Sequence, residues 1–178
     1  MLPRLLDIAY GRVRSRDLDQ AEAFLLDFGM QRAARTADAL YMRGHGDGHH
    51  HLHVVERGAP GAVALAFHLD GAEDLARAAR LPGASAVEAT GEPGGGHRVR
   101  LAEPNGLCIE LVHGMARTTA APPAGHAMNT AGQPRNRRPG NSQVAPGLSR
   151  VHRIGHGVLF TPDVAGTTQW LQDRLGML

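Results

Sequence analysis

The stretch "AVALAFHLDGAEDLARAARLPGASAVEATGEPGGGHRVRLAEPNGLCIELVHG" runs from Ala62 to Gly114. Its opening, "AVALAFHL", is an apolar run of strand length bounded by turn residues, and "GAEDLARAARL" after it reads as a short helix. The turns "GEPGGG" and "PNG" then divide the remainder into three strand-like segments, "SAVEAT", "HRVRLAE" and "GLCIELVHG". The order is strand, helix, strand, strand, strand.

The same order stands immediately upstream. Leu6 to Val13 is an apolar strand, and "SRDLDQAEAFLLDFGM" places Leu18, Ala21, Leu25 and Phe28 at helical spacing. Ser15 is the expected N-cap, and Gly29 the stop. Strand-like runs follow at Gln31 to Thr36, Ala39 to Arg43 and His51 to Glu56, with "GHGDG" as a hairpin turn between the last two. The repetition is one of pattern more than of residues. Neither half is large enough to cover its own sheet face, so both are expected in one α+β domain over residues 4–114, with βαβββ units at about 4–58 and 61–114.

Downstream the composition changes. Met115 to Ser149 is rich in Pro, Gly, Ala, Thr and Asn and lacks periodicity, which predicts a linker over 115–150. Then "RIGHGVLFTPDVAGTTQWLQDRLGML" reads as a restart. Moved back by 146 positions, Ile154 falls on Ile8, Gly157 on Gly11, Asp163 on Asp17 and Leu171 on Leu25. Residues 151–178 are therefore expected to be the first strand and helix of a third, truncated unit. Thr161 is its expected cap and Pro162 its first helical residue. About 28 residues are too few to bury a core alone, so they should pack on the first domain, pair with a second chain, or stay loosely ordered.

Composition narrows the chemistry. All 19 basic residues are arginine, which removes lysine Schiff-base chemistry and the phosphate-loop lysine. The one cysteine, Cys108, excludes an internal disulfide and a multi-cysteine zinc site, and it lies in an apolar run. Between Leu111 and Pro162 there are six arginines and no acid, so the net charge of +2 leaves −4 for the rest of the chain. The basic character belongs mainly to that segment. With 4% aromatic residues and no stacking pattern, nucleic acid is not an expected partner. No apolar run is long enough for a membrane span, and a cytoplasmic protein is expected.

The doubled unit, the ending "AEPNGLCIELVHG" and the restart "RIGHGVLFTPDVAGTTQWLQDRLGM" together resemble the vicinal oxygen chelate superfamily, which includes glyoxalases, bleomycin-resistance proteins and dioxygenases. Within it, four units in two domains joined by a linker is the layout of the type I extradiol ring-cleavage dioxygenases. The resemblance implies that this chain is the N-terminal part of such an enzyme. The implied parent is an oxidoreductase of aromatic catabolism that uses Fe(II) and O2 to open a catechol-type ring, with homo-oligomerisation left open.

In that superfamily the metal is held by residues on the first strands of two successive units and by a glutamate on a last strand. The matching positions in the first domain are Tyr10, Ala64 and Glu110. Alanine cannot ligate, so the resemblance implies a metal-free first domain. His68, four residues beyond Ala64, is an alternative partner for Glu110 if the strand bulges. In the restart the first-ligand position is His156, expected on one strand face with Ile154, Val158 and Phe160. The other ligands and the acid and base groups are expected beyond Leu178, so the 178-residue chain itself is expected to be inactive. A metal-free module that binds an aromatic compound or an antibiotic is the alternative, and a glyoxalase or epimerase a weaker one. Independently of the resemblance, "GHGDGHHHLHVVERG" could collect adventitious metal through His49, His51 and His53, which share a face in a regular strand.

Overall fold

The computed structural model describes residues 1–46, 48–119 and 149–177. In chain order its elements are β1 (Leu5–Ser15), α1 (Leu18–Asp27), β2 (Gln31–Arg35), β3 (Ala39–Arg43), β4 (Gly48–His49), β5 (His53–Arg57), β6 (Gly61–Leu69), α2 (Ala72–Ala78), β7 (Glu88–Ala89), β8 (His97–Ala102), β9 (Cys108–His113), β10 (Arg117–Thr118) and α3 (Val164–Leu175). Eight strands form one sheet in the order β2-β3-β5-β1-β6-β9-β8-β7. The long strands β1 and β6 pair antiparallel at its middle. Each then has a parallel neighbour on its outer side, β5 beside β1 and β9 beside β6.

Strand alternation sorts the side chains into two layers. On one face Val99, Leu101, Ile109 and Leu111 pack with Leu75 and Ala78 of α2, while Leu40, Met42 and Val55 pack with Leu18 and Leu25 of α1. The opposite face gathers Tyr10, Tyr41, Val54, Ala66, Val112 and Met115. Each large apolar side chain buried this way contributes roughly 1.5–3 kcal/mol. The β1–β6 ladder shifts register between Ile8 and Tyr10 and again between Arg12 and Val13. Such irregularities turn neighbouring residues off strict alternation, which is how Ala9 and Tyr10 are buried consecutively.

The first helix is capped by Asp17, whose carboxylate accepts from the backbone N–H groups of Asp19 and Gln20. The expected cap, Ser15, instead binds the backbone of Asp17 and shapes the approach. Gly29 follows at φ 94, a conformation that favours glycine, and ends the helix. Phe28, expected on the inner face, is 57% exposed. The third helix repeats the cap correction: Asp163, not Thr161, accepts from the Gly166 N–H, and the helix starts at Val164.

The restart differs most from expectation. Residues 151–160 make no strand, and His156, Val158 and Phe160 are exposed. A strand needs a ladder partner, and among the described residues none pairs with this segment. It is tied by single backbone bonds instead, Val151 N to Gly29 O and His45 N to Val151 O. The helix beyond it packs on the first domain. Leu175 enters the cluster of Leu69, Leu75 and Ile109, with Trp170 and Leu171 against it. Thr167 is buried and donates to Glu103 at 2.8 Å, while Asn105 donates to Thr167 at 3.0 Å.

Of the linker expected at 115–150, residues 120–148 lie outside the described residues. Its first part is ordered: β10 pairs with β4, and Ala116 bonds to His50 and to Gly94. No helix among the described residues is long and apolar enough to cross a membrane.

Candidate functional site

The middle of the helix-free face carries the chemistry. The register sets Tyr10 of β1 opposite Ala66 of β6, and Ala66 opposite Glu110 of β9. The Tyr10 hydroxyl donates to Glu110 Oε2 at 2.6 Å in a buried contact. Ala64 stands one step along β6, opposite Arg12 and Cys108. Whichever alanine occupies the intermediate position, it offers no donor atom. Burial, reinforced by the charge of Glu110, raises the pKa of Tyr10, so the phenol stays protonated and remains a donor.

Arg12, 4% exposed, is the hub around this pair. Its Nη1 meets Glu56 at 2.9 Å, and its Nη2 meets Glu92 at 2.9 Å and Glu110 at 3.4 Å. The same Nη2 donates to the Tyr10 oxygen at 3.5 Å. Arg98, also buried, bridges Glu88 and Glu92 at 2.8 Å each and approaches Glu110 at 3.5 Å. Arg100 reaches Glu110 at 3.3 Å and Glu88 at 2.9 Å, and Arg14 joins Glu56 at 3.2 Å. Burial opposes the charge on Arg12 and Arg98. The hydrogen bonds they donate to Glu92 and Glu88 respectively, with the charge of Glu110, more than offset it, and both guanidinium pKa values rise. Removing one member of such a buried network costs about 3–5 kcal/mol, because its partners are left charged and dry.

A facial triad for Fe(II) requires two imidazoles and a free carboxylate. This position offers a protonated phenol, an alanine, and a carboxylate already held by three guanidinium groups. Arg12, seated among the oxygens of Glu56, Glu92 and Glu110, keeps a divalent ion from them. The residues therefore do not fit Fe(II). Among the described residues no group of three His, Cys, Asp or Glu side chains is placed to hold a metal ion.

The histidines meet in pairs and do not converge on Glu110. His68 is buried and stacks on His49 with ring centroids 3.5 Å apart, so it does not join Glu110. His51 is fully buried between the Tyr10 and Tyr41 rings, 5.1 Å from each centroid, with its Nδ1 3.2 Å from that of His50. His53 lies against Gly11. A bend at residues 50–52 separates His49 from β5. That bend is why the shared face expected for His49, His51 and His53 does not form. Burial, followed by the charge of neighbouring histidines, pushes His51 down to about 3 and His68 down to about 4. His156 is exposed in the unpaired segment beside Gly157, which lies over Leu65.

Arg12, Arg98, Arg100, Glu56, Glu88 and Glu92 were not expected at the site. Their signal is the paired pattern "RVR" at 12–14 and 98–100, an arginine every second residue within an apolar strand. Strand alternation sends such arginines to one face, and Glu110 has the matching parity on β9.

No protein-family model and no curated protein matches this sequence. Solved structures do resemble it. The Mn(II)-bound glyoxalase from Novosphingobium aromaticivorans superposes with a TM-score of 0.62 at 23% identity, over 67% of this chain and 42% of that one. An extradiol ring-cleaving dioxygenase from B. fuscum gives a TM-score of 0.60 at 23% identity, over 66% and 35%. Homoprotocatechuate 2,3-dioxygenase from Brevibacterium fuscum, in complex with 3,4-dihydroxyphenylacetate, gives 0.58 at 23% identity, over 66% and 39%. The chain thus spans well under half the length of each of these proteins. With its mixed eight-stranded sheet and this likeness to a glyoxalase and to dioxygenases, the chain has the vicinal oxygen chelate fold.

Proposed function

We propose that residues 4–114 are the metal-free N-terminal domain of a cytoplasmic extradiol-type dioxygenase that opens a catechol-type ring with O2, and that the chain 1–178 alone has no ring-cleavage activity. The observation that carries the metal-free part is the Tyr10–Glu110 pair bound by Arg12, Arg98 and Arg100 at the centre of the sheet. The dioxygenase part is supported by the likeness to extradiol enzymes and by "GHGV" at residues 155–158. In this reading His156 contributes one ligand to an Fe(II) centre whose other ligands come from outside the chain. One imidazole does not hold Fe(II), so no catalytic step is assigned to these residues.

The test is an anaerobic incubation of the chain with Fe(II) and catechol or 2,3-dihydroxybiphenyl, followed by admission of O2. The reading predicts no yellow ring-opened product. Product that disappears in His156→Ala would overturn it. Mass spectrometry of the protein from its native source adds a second check, with a mass near that of a four-unit chain, roughly 300 residues, expected for the dioxygenase parent.

A second reading, a small-molecule binding module, is favoured by a groove of about 350 Å³ lined by Ser85, Arg100, Leu101, Leu107 and Cys108. That volume lies at the lower end of ligand sites. Saturable binding of an aromatic ligand, weakened by filling the groove with Ala84→Leu, would favour this reading over the first.

A further inference from the structure

We infer that Arg12 is the resident cation of the sheet's centre, a guanidinium seated in a cage of oxygens that without it would take a free hard cation. The inference rests on the metal-free reading of this domain and goes beyond it. Three carboxylates from separate parts of the chain, Glu56, Glu92 and Glu110, converge on the two Nη atoms of one side chain at 2.9 to 3.4 Å. The phenol oxygen of Tyr10 completes the set at 3.5 Å. Arg12 Nε is buried without a hydrogen-bond partner, so the group is held through its carboxylate-facing end.

Charge accounting points the same way. The connected network contains four carboxylates, at 56, 88, 92 and 110, and four guanidinium groups, at 12, 14, 98 and 100. Arg12 contacts three of the four carboxylates. Without it the centre carries one uncompensated negative charge in a place where Glu110 is 3% exposed. Several oxygens and an excess negative charge are what hard divalent cations require, whereas the width and donor pattern of a guanidinium satisfy the same oxygens by hydrogen bonds. The structure has met the need for a cation with a side chain, which cannot dissociate.

Arg12→Ala tests this. Mn(II) is the probe because it prefers carboxylate to imidazole and so discriminates against the histidine hairpin. Bound Mn(II) is read from the loss of the free-ion electron paramagnetic resonance signal. The wild type should bind none at this site, and Arg12→Ala should bind one Mn(II) with a Kd of about 1 mM or tighter. The thermal midpoint of the variant, but not of the wild type, should rise with Mn(II) or with methylguanidinium. Glu110→Gln added to Arg12→Ala should abolish the response, and Arg12→Lys should bind no Mn(II).

If Arg12→Ala does not fold alone, its refolding yield with and without either cation provides the same readout, and Arg12→Gln serves as a second variant. A variant that binds no more Mn(II) than the wild type, and whose midpoint or yield ignores both cations, overturns the assignment to Arg12. Mn(II) binding by the wild type that is lost in Glu110→Gln overturns the metal-free reading itself.

Discussion

The centre of the sheet and the histidine-rich hairpin beside it both bury ionisable groups, and they do so in opposite ways. At the centre Arg12, Arg98 and Glu110 are placed close enough to satisfy one another as ions. In the hairpin His51 is packed between aromatic rings, and His68 of β6 packs against the hairpin's His49, so both are kept neutral. The composition of the two regions suggests the reverse, since a cluster of histidines looks like the metal site. Neighbours decide the role of a titratable group, and alternation on separate strands decides the neighbours.

The largest expected effect comes from breaking the ionic side of this contrast. Glu110→Ala leaves three guanidinium groups and a phenol facing a cavity, and should cost about 3–5 kcal/mol in urea denaturation. A loss below 1 kcal/mol would mean that the network contributes little.

Acid attacks the neutral side. His51 and His68 have folded-state pKa values, about 3 and about 4, below that of an unfolded histidine. The native state therefore binds fewer protons than the unfolded one. The stability is fully present above pH 6.5 and is lost as the pH falls from there toward the folded values. Between pH 7.5 and pH 5 each should lose about 2 kcal/mol. Urea curves at the two pH values measure the loss, and His51→Phe should remove part of the slope.

A smaller effect is expected where the terminal helix docks. Thr167→Val removes hydrogen bonds to Glu103 and Asn105. It should cost about 1–3 kcal/mol, because Glu103 is left buried with fewer donors, and should raise amide exchange in α3 without changing the sheet. The smallest, about 1 kcal/mol, belongs to Asp17→Ala at the first helix cap. An equal loss from Ser15→Ala would return the cap to Ser15.

Much of the fold was legible in the sequence, because turn residues and periodicity mark where strands and helices lie. The order of elements through residue 114 follows from them except for β4, a two-residue strand at Gly48–His49 that was not expected. The caps of the first and third helices were misplaced by two residues, since Ser15 and Thr161 bond to the backbone of the aspartates that do the capping. The strand expected at Ile154 to Phe160 has the right pattern but no neighbour to pair with among the described residues. Tyr10 and Glu110, positions implied by the family resemblance, do meet, but the alanine between them is Ala66, where Ala64 was expected. The arginines were not expected, because Arg12 and Glu110 are separated by 98 positions and meet through a register that alternation does not specify.

The most direct measurement is a crystal structure after anaerobic soaking in Fe(II), with anomalous data at the iron edge. The account predicts no anomalous peak within bonding distance of Glu110, and Arg12 electron density continuous with Glu56, Glu92 and Glu110. A peak coordinated by Glu110 and Tyr10, with Arg12 displaced, would contradict it.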